Sequence, residues 1–243
     1  MSETRFHTLA DGRRIAFRFV PGNGPALVFL AGYMSDMAGG KATAVFDWAR
    51  GQSRACLLLD YSGCGQSDGR FADGTLSGWR DEVLGLIDAC CMDSVVLVGS
   101  SMGGWLMLLV ALAAPDKVAA LAGIAAAPDF TDWGYDEAQK ARLAAGETVY
   151  EDNPYGPEPT PTYAAFWREG EAQRLLGGEI ALTCPVRLIH GLADADVPWD
   201  LSLRLAQRLR SADVQVMLVK DGDHRLSREA DIALLLRTIA ALP

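Results

Sequence analysis

The residues that decide the fold read VVLVGSSMGGW, positions 95–105. They begin with four apolar residues, as a buried strand does, and lead into an apolar stretch, residues 105–114, that is long enough for a helix. Between the two, Gly99, Ser101 and Gly103 form a G-x-S-x-G pattern. Glycines at these positions let a strand and a helix meet at a tight turn, because side chains there would collide with the adjoining element. The stretch therefore predicts a strand, a sharp turn that holds Ser101, and a helix.

Outward from this turn, short apolar runs alternate with longer stretches of helical periodicity, a pattern typical of a mostly parallel sheet flanked by helices. The first two runs flank Asp11-Gly12, a two-residue hairpin signal, and predict an antiparallel pair at one edge of the sheet. The eight predicted strands are Phe6 to Ala10, Arg14 to Val20, Ala26 to Ala31, Ala55 to Asp60, Val95 to Gly99, Val118 to Ala126, Val186 to His190 and Val214 to Val219. The helices predicted from apolar three- and four-residue spacing are Thr75 to Cys91, Met102 to Ala114, Trp199 to Arg210 and Ser227 to Ala240.

Residues 129–178 interrupt this alternation, because about fifty residues between two strands far exceed an ordinary connection. We interpret them as a short helical lid inserted into a core made of residues 1–128 and 179–243. Aromatic side chains are frequent in the insertion: Trp133, Tyr135, Tyr150, Tyr155, Tyr163, Phe166 and Trp167. We predict that Tyr163 and Trp167 help to form an apolar substrate pocket above the sheet edge.

Length and charge exclude several classes of protein. A chain of 243 residues buries one sizeable core, and a net charge of −9 disfavours binding to nucleic acid or to anionic bilayers. The longest apolar run, residues 105–114, is shorter than the roughly 20 residues of a membrane helix. Residues 1–7 lack the apolar region of a secretory signal and the Arg-rich pattern of a transit peptide, so we predict a cytoplasmic location.

A serine hydroxyl is a poor nucleophile until a base accepts its proton, so Ser101 needs a histidine partner. The sequence offers His7 on the first edge strand, His190 at the end of a predicted strand, and His224. His190 is as readily interpreted as a structural hydrogen-bonding residue as it is as a catalytic base. His224 follows the last strand and precedes the last helix, which places it at the carboxyl edge of the sheet, where the Ser101 turn also lies. We therefore predict that His224 is the base.

The base needs a carboxylate that orients its ring and stabilises its charged form. Asp194 and Asp196 follow the penultimate predicted strand, and Asp129 follows the strand before the lid, so the residues alone leave three candidates. A metal site formed by His190, Asp194 and Asp196 is an alternative interpretation. It is disfavoured because metal sites usually have more ligands at recognisable spacing. We predict that the protein uses no metal and no cofactor.

Two backbone N–H groups are expected to stabilise the negative charge that develops on a carbonyl oxygen under attack. Met102, directly after the predicted nucleophile, supplies the first. Gly32 allows the chain to turn after the third strand, and the N–H of Tyr33 is the predicted second donor.

These motifs resemble those of the α/β-hydrolase family, and in detail they are similar to the branch that contains the mitochondrial palmitoyl-protein thioesterase and acyl-glucuronide esterase. The resemblance implies that Ser101, Asp194 and His224 occupy the positions of nucleophile, acid and base. The family pattern Asp-x-x-Val-Pro, which begins here at Asp194, selects Asp194 over Asp196. The segments that carry the resemblance are Ala31 to Ser35, Asp60 to Gly63, Gly65, Ser67 to Gly69, Gly99 to Met107 and Asp223 to Arg225.

The same resemblance implies hydrolysis of acyl esters or thioesters through an acyl-enzyme on Ser101, with a hydrophobic acyl or aglycone group. Two alternatives remain open. An acyltransferase would pass the acyl group to an alcohol or thiol, and a non-catalytic module would only bind a ligand on the hydrolase scaffold. The expected partner is a small acyl ester or thioester, or an acylated protein.

Overall fold

The eight predicted strands form one sheet, and two further short strands lie in the insertion. The computed structural model describes residues 3–154 and 156–243, so Tyr155 of the aromatic set lies outside the described residues. The strands are β1 (Arg5–Thr8), β2 (Arg14–Val20), β3 (Asn23–Leu30), β4 (Arg54–Leu59), β5 (Val95–Ser100), β6 (Val118–Ile124), β7 (Val149–Glu151), β8 (Thr160–Thr162), β9 (Val186–Gly191) and β10 (Val214–Val219).

The helices follow the strands in the alternation that the sequence predicts. They are α1 (Gly40–Gly51), α2 (Leu76–Ala89), α3 (Met102–Ala113), α4 (Phe130–Trp133), α5 (Glu137–Ala144), α6 (Ala164–Ala172), α7 (Asp200–Arg208) and α8 (Glu229–Ala240). The four predicted helices correspond to α2, α3, α7 and α8. None of the helices among the described residues is long and apolar enough to cross a membrane.

The main sheet has the strand order β1-β2-β4-β3-β5-β6-β9-β10. In this order, each strand from β4 through β3, β5, β6 and β9 to β10 pairs in parallel with the next. The exception is β2, which runs antiparallel to both β1 and β4. All six residues of β5 are buried, as expected for a central strand covered on both faces. The predicted fold, an α/β hydrolase with a mostly parallel eight-stranded sheet and an antiparallel amino-terminal edge, is confirmed. Its carboxyl edge collects the loops after β3, β5, β9 and β10.

The connection between β1 and β2 is longer than the predicted two-residue turn. The Leu9 N–H donates to the Arg13 carbonyl at 2.8 Å, and the Gly12 N–H donates to the Leu9 carbonyl at 3.0 Å. The Asp11 carboxylate accepts from the Arg13 N–H at 3.0 Å, and Gly12 adopts a φ of +89°. An aspartate that bonds to the backbone two residues onward favours this wider turn.

The described residues of the insertion form three helices, α4 to α6, and an antiparallel pair, β7 and β8, that the sequence does not predict. Each of these strands has only three residues, and Pro161 lies in β8, so neither gives a clear strand signal. The division of the chain into a core and a lid at residues 129–178 stays a prediction.

Candidate active site

Ser101 lies on a strained turn between β5 and α3. Its φ is +56°, a region that L residues rarely adopt. A Cβ atom built on Gly99 would lie 2.3 Å from the Gly103 carbonyl oxygen, and one built on Gly103 would lie 2.1 Å from the Leu30 carbonyl oxygen. Both distances are too short for a side chain, which is the steric reason for the G-x-S-x-G pattern.

The structure brings Ser101, His224 and Asp194 together from three loops at the carboxyl edge of the sheet. Ser101 Oγ lies 3.1 Å from His224 Nε2, and His224 Nδ1 lies 2.9 Å from Asp194 Oδ2. The His224 side chain is 15% exposed, whereas the Asp194 side chain has no exposed surface. If Nδ1 carries the proton and donates to the carboxylate, Nε2 is free to accept the hydroxyl proton of Ser101.

Asp194 stays ionised in its buried position because donors surround its carboxylate. Oδ1 accepts the backbone N–H groups of Asp196 and Val197, each at 2.9 Å, and Oδ2 lies within hydrogen-bond distance of two imidazoles. Burial raises the pKa of Asp194, but the hydrogen bonds from His190, His224 and Val197 outweigh it. Together they hold that pKa well below its ordinary value.

The other candidate acids lie in different surroundings. Asp196 is exposed beside Asp194. Asp129 is buried, and its two carboxylate oxygens accept the backbone N–H groups of Leu175 and Leu176 at 2.8 Å each. Asp129 therefore ties the first residue of the insertion to its carboxyl-terminal part.

Asp194, Asp196 and His224 also place one potential metal-ligand atom each within 4.8 Å of one another. This differs from the metal set considered from the sequence, which contained His190 in place of His224. Each carboxylate oxygen of Asp194 already accepts two hydrogen bonds. Both ring nitrogens of His224 are also engaged, Nδ1 with Asp194 and Nε2 with Ser101. The donor set therefore fits a proton-transfer network better than a metal site.

The loop after β3 approaches Ser101 closely, as the prediction for Tyr33 requires. A Cβ atom built on Gly32 would lie 3.3 Å from Ser101 Cβ, so the backbone here passes beside the serine. Met102 is the first residue of α3, where the N–H groups of the first turn have no partner within the helix. The loop that carries Tyr33 and the first residue of α3, Met102, thus both lie next to Ser101, and their role as oxyanion donors stays a prediction.

The Tyr33 side chain also links this loop to the insertion. Its hydroxyl donates to the Pro161 carbonyl of β8 at 3.0 Å, and its ring lies against Phe71, Phe130 and Phe166. The loop that carries a predicted oxyanion donor is therefore held by the insertion above it.

A cavity of about 730 Å³ opens over Ser101 and His224. On the side of the insertion it is lined by Phe130, Trp133 and Tyr135, and elsewhere by Lys41 and Arg225. Nothing in the sequence predicts that these two cations line one cavity. The three aromatic residues could have been identified from their position in the sequence, because they follow β6 at the carboxyl edge of the sheet.

Tyr163 and Trp167 do not lie among the residues that line this cavity. Tyr163 packs against Phe71, and the Trp167 indole N–H donates to the Thr131 carbonyl at 2.9 Å. Trp167 thus supports the interior of the insertion, whereas Tyr163 packs the insertion against the core. Their predicted role in binding substrate stays a prediction.

Comparison with known proteins places the chain in a family. A profile of the prolyl oligopeptidase family matches residues 86–241. Mouse palmitoyl-protein thioesterase ABHD10, mitochondrial, is 43% identical over 233 residues, which cover 93% of this chain and 77% of that protein. The solved structure of alpha/beta hydrolase domain-containing protein 10 from mouse matches with a TM-score of 0.91 at 38% identity, covering 98% of this chain and 97% of that chain. The chain is an α/β hydrolase. The human protein named palmitoyl-protein thioesterase ABHD10, mitochondrial, is 40% identical over 238 residues, which cover 94% of this chain and 76% of that protein.

The predicted class of activity, an ester or thioester hydrolase, is confirmed by the fold together with relatives that are named thioesterases. The predicted cytoplasmic location is wrong. Five mammalian relatives at 38–43% identity are each named mitochondrial, and this finding contradicts it. The prediction relied on the pattern of residues 1–7, and this short segment does not determine the compartment.

Proposed function

We propose that this hydrolase cleaves acyl thioesters and esters through an acyl-enzyme on Ser101. The observation that carries the proposal is the chain of two hydrogen bonds, from Ser101 Oγ to His224 Nε2 at 3.1 Å and from His224 Nδ1 to Asp194 Oδ2 at 2.9 Å. In this arrangement the histidine can take the serine proton as the serine oxygen attacks a carbonyl carbon. An isolated serine hydroxyl has no such base and is therefore a poor nucleophile.

In the first half of the reaction, Ser101 Oγ forms a bond to the acyl carbon while His224 Nε2 takes the hydroxyl proton. Negative charge moves to the carbonyl oxygen, where the backbone N–H groups of Met102 and Tyr33 stabilise it. The tetrahedral intermediate then collapses, and the bond to the leaving thiol or alcohol breaks. His224 returns its proton to that leaving group.

In the second half, His224 takes a proton from water as the water oxygen attacks the acyl-enzyme. Collapse of the second tetrahedral intermediate releases the carboxylic acid, and the proton on His224 returns to Ser101. Asp194 stays ionised throughout, because its four hydrogen-bond donors stabilise the charged form.

The cavity supports an apolar acyl group on the side of the insertion. Phe130, Trp133 and Tyr135 line it there and offer an apolar surface, next to polar residues that include Glu151 and Thr160. Relatives named palmitoyl-protein thioesterases favour a thioester bond and an acylated protein as one form of the substrate. We propose that these three aromatic residues contact the acyl chain.

The test is a hydrolysis panel of thioesters and esters from acetyl to palmitoyl, measured for the wild type, Ser101→Ala and Ser100→Ala. Ser100 is the adjacent serine and lies in β5, so Ser100→Ala is a matched control for the loss of a hydroxyl at the same turn. We expect Ser101→Ala to lose activity by up to about 10⁶-fold, together with labelling by a fluorophosphonate probe. Ser100→Ala should keep its labelling.

Three outcomes would contradict the proposal. An active Ser101→Ala variant would exclude the acyl-enzyme on this residue. A product that carries the acyl group on an added alcohol or thiol, with little free acid, would indicate an acyltransferase. Absence of turnover on every substrate, with the probe unbound, would indicate a module that only binds its ligand.

A further inference from the structure

A second histidine contacts the same carboxylate oxygen as His224. His190 lies in β9, four residues before Asp194, and its side chain has no exposed surface. Its Nε2 lies 3.1 Å from Asp194 Oδ2 and 3.1 Å from the Val197 carbonyl oxygen. Its Nδ1 lies 2.7 Å from Ser202 Oγ on α7. Both ring nitrogens therefore have polar partners inside the protein.

These partners determine where the proton of His190 resides. The Val197 carbonyl oxygen can only accept, and Asp194 is ionised, so Nε2 must be the nitrogen that carries a proton. Ser202 can donate a hydrogen bond to an unprotonated Nδ1, and with a single proton on Nε2 the ring is neutral. A neutral ring suits the reaction, because Asp194 and a protonated His224 balance each other and a further buried cation would be uncompensated.

The contact from His190 constrains Asp194 at Oδ2, the carboxylate oxygen that His224 also contacts. Two backbone N–H groups, from Asp196 and Val197, hold Oδ1. They restrain only one oxygen of the carboxylate. The N–H of His190 reaches Oδ2, the oxygen that also faces His224 Nδ1. The carboxylate is then restrained at both oxygens.

We infer that His190 is a positioning residue that holds Asp194 Oδ2 at hydrogen-bond distance from His224 and is itself held by Ser202. The inference rests on the proposed function of Ser101, Asp194 and His224. His190 does not line the cavity over Ser101, so it acts on the reaction through Asp194 rather than through the substrate.

The first test is steady-state kinetics of His190→Leu, which removes both ring nitrogens and keeps an apolar side chain in the buried site. We expect kcat to fall about 10- to 100-fold, the range found when a group that orients a functional side chain is removed, with KM nearly unchanged. The acid limb of kcat/KM should move to higher pH, because Asp194 with one donor fewer attracts the protonated ring of His224 more strongly.

Two further variants separate positioning from general loss of stability. His190→Gln retains an N–H donor of similar reach and should recover part of the lost kcat. Ile239→Ala creates a cavity at a fully buried position on α8, away from the residues that line the active-site cavity. It should lower the melting temperature but leave the pH profile of kcat/KM where it is in the wild type.

The second test reads His190 without using activity. The sequence contains only three histidines, so nitrogen-15 NMR of the labelled protein can assign each ring by substitution. We expect His190 to have one protonated and one unprotonated ring nitrogen at neutral pH. Two protonated nitrogens would overturn the neutral state that the inference requires.

A His190→Leu variant with the kcat and pH profile of the wild type would also overturn the inference. So would a His190→Leu variant that behaves like Ile239→Ala, with reduced stability and an unshifted pH profile. Failure of the proposed function would instead appear as activity in Ser101→Ala, a result that does not alter the NMR signals of His190.

Discussion

Ser101 adopts a φ of +56°, and a residue in such a conformation costs about 1–3 kcal/mol of stability. The surrounding structure maintains it because β5 and α3 approach so closely that only glycine fits at positions 99 and 103. The strain is coupled to function, since this turn points the hydroxyl towards His224 at the open edge of the sheet.

The role of Asp194 can be tested against its neighbour in the same loop. Asp194→Asn should reduce kcat by up to about 10⁴-fold, because an amide cannot stabilise the charged ring of His224 and can favour the wrong tautomer. Asp196→Asn, a change at an exposed position two residues away, should keep most activity. Equal losses in the two variants, or a dead Asp129→Asn variant, would contradict the assignment of Asp194.

Asp194 should also contribute to stability in a pH-dependent way. Hydrogen bonds hold its pKa below the ordinary value in the folded state, so folding favours the ionised form. The contribution is fully present above about pH 4, and it is lost as the pH falls towards the lower folded value. In urea unfolding, the difference in unfolding free energy between wild type and Asp194→Asn should therefore be largest at neutral pH and smaller near pH 3. A difference that grows on acidification would contradict this linkage.

The three potential metal-ligand atoms near Asp194 provide a further test. Because the Asp194 oxygens are occupied by hydrogen bonds, we expect activity to survive exhaustive treatment with a chelator. The measurement is the rate of thioester hydrolysis before and after chelation and dialysis. A loss that a divalent ion restores would show that the site needs a metal.

At the scale of elements, the insertion after β6 determines the shape of the cavity. Its first short helix, α4, carries Phe130 and Trp133 at the ends of its single turn, and Tyr135 follows two residues later. The later helix α6 carries Trp167, whose indole faces the interior of the insertion. The first part thus lines the cavity, and the later part packs within the insertion.

The two lid tryptophans form a matched pair for testing this difference. Each indole N–H donates to a backbone carbonyl, that of Pro128 for Trp133 and that of Thr131 for Trp167. Trp133→Ala should change the preference among acyl chain lengths more than it changes the rate on acetyl substrates. Trp167→Ala should lower the melting temperature and affect all chain lengths similarly. The reverse pattern would support the sequence-based prediction that Trp167 binds substrate.

At the scale of the whole molecule, several contacts attach the insertion to the sheet and its helices. Glu169 on α6 accepts the N–H groups of Leu76 and Ser77 at the start of α2, at 2.9 and 3.3 Å. The Trp105 indole N–H on α3 donates to the Gln173 carbonyl at 3.3 Å. The Tyr33 hydroxyl, which donates to the Pro161 carbonyl, adds a further link between the insertion and the core.

We therefore expect the insertion and the core to unfold in one cooperative transition. Far-ultraviolet circular dichroism and tryptophan fluorescence should give coincident thermal curves. Glu169→Ala removes the acidic cap at the start of α2 and should lower the free energy of unfolding by about 1 kcal/mol. Both curves should therefore move to lower temperature together. An early fluorescence transition, before the loss of secondary structure, would indicate a lid that unfolds separately.

The sequence by itself determined the alternation of strands and helices, the strained serine turn and the position of His224 after the last strand. These features depend on apolar periodicity and on glycines whose absence of a side chain is required locally, so they can be identified from neighbours along the chain. The short strands β7 and β8 escaped prediction, because three-residue segments with a proline have almost no periodicity.

Only the tertiary structure decided which side chains share the cavity. Lys41 and Arg225 are far apart in the sequence, yet both line it, whereas Trp167 lies within the insertion and faces away. The same holds for His190, whose contact with Asp194 depends on the path of the loop after β9 and on the packing of α7. Composition and spacing constrain whether a segment forms a strand or a helix. The direction of a side chain is instead set by contacts between residues that are distant in the chain.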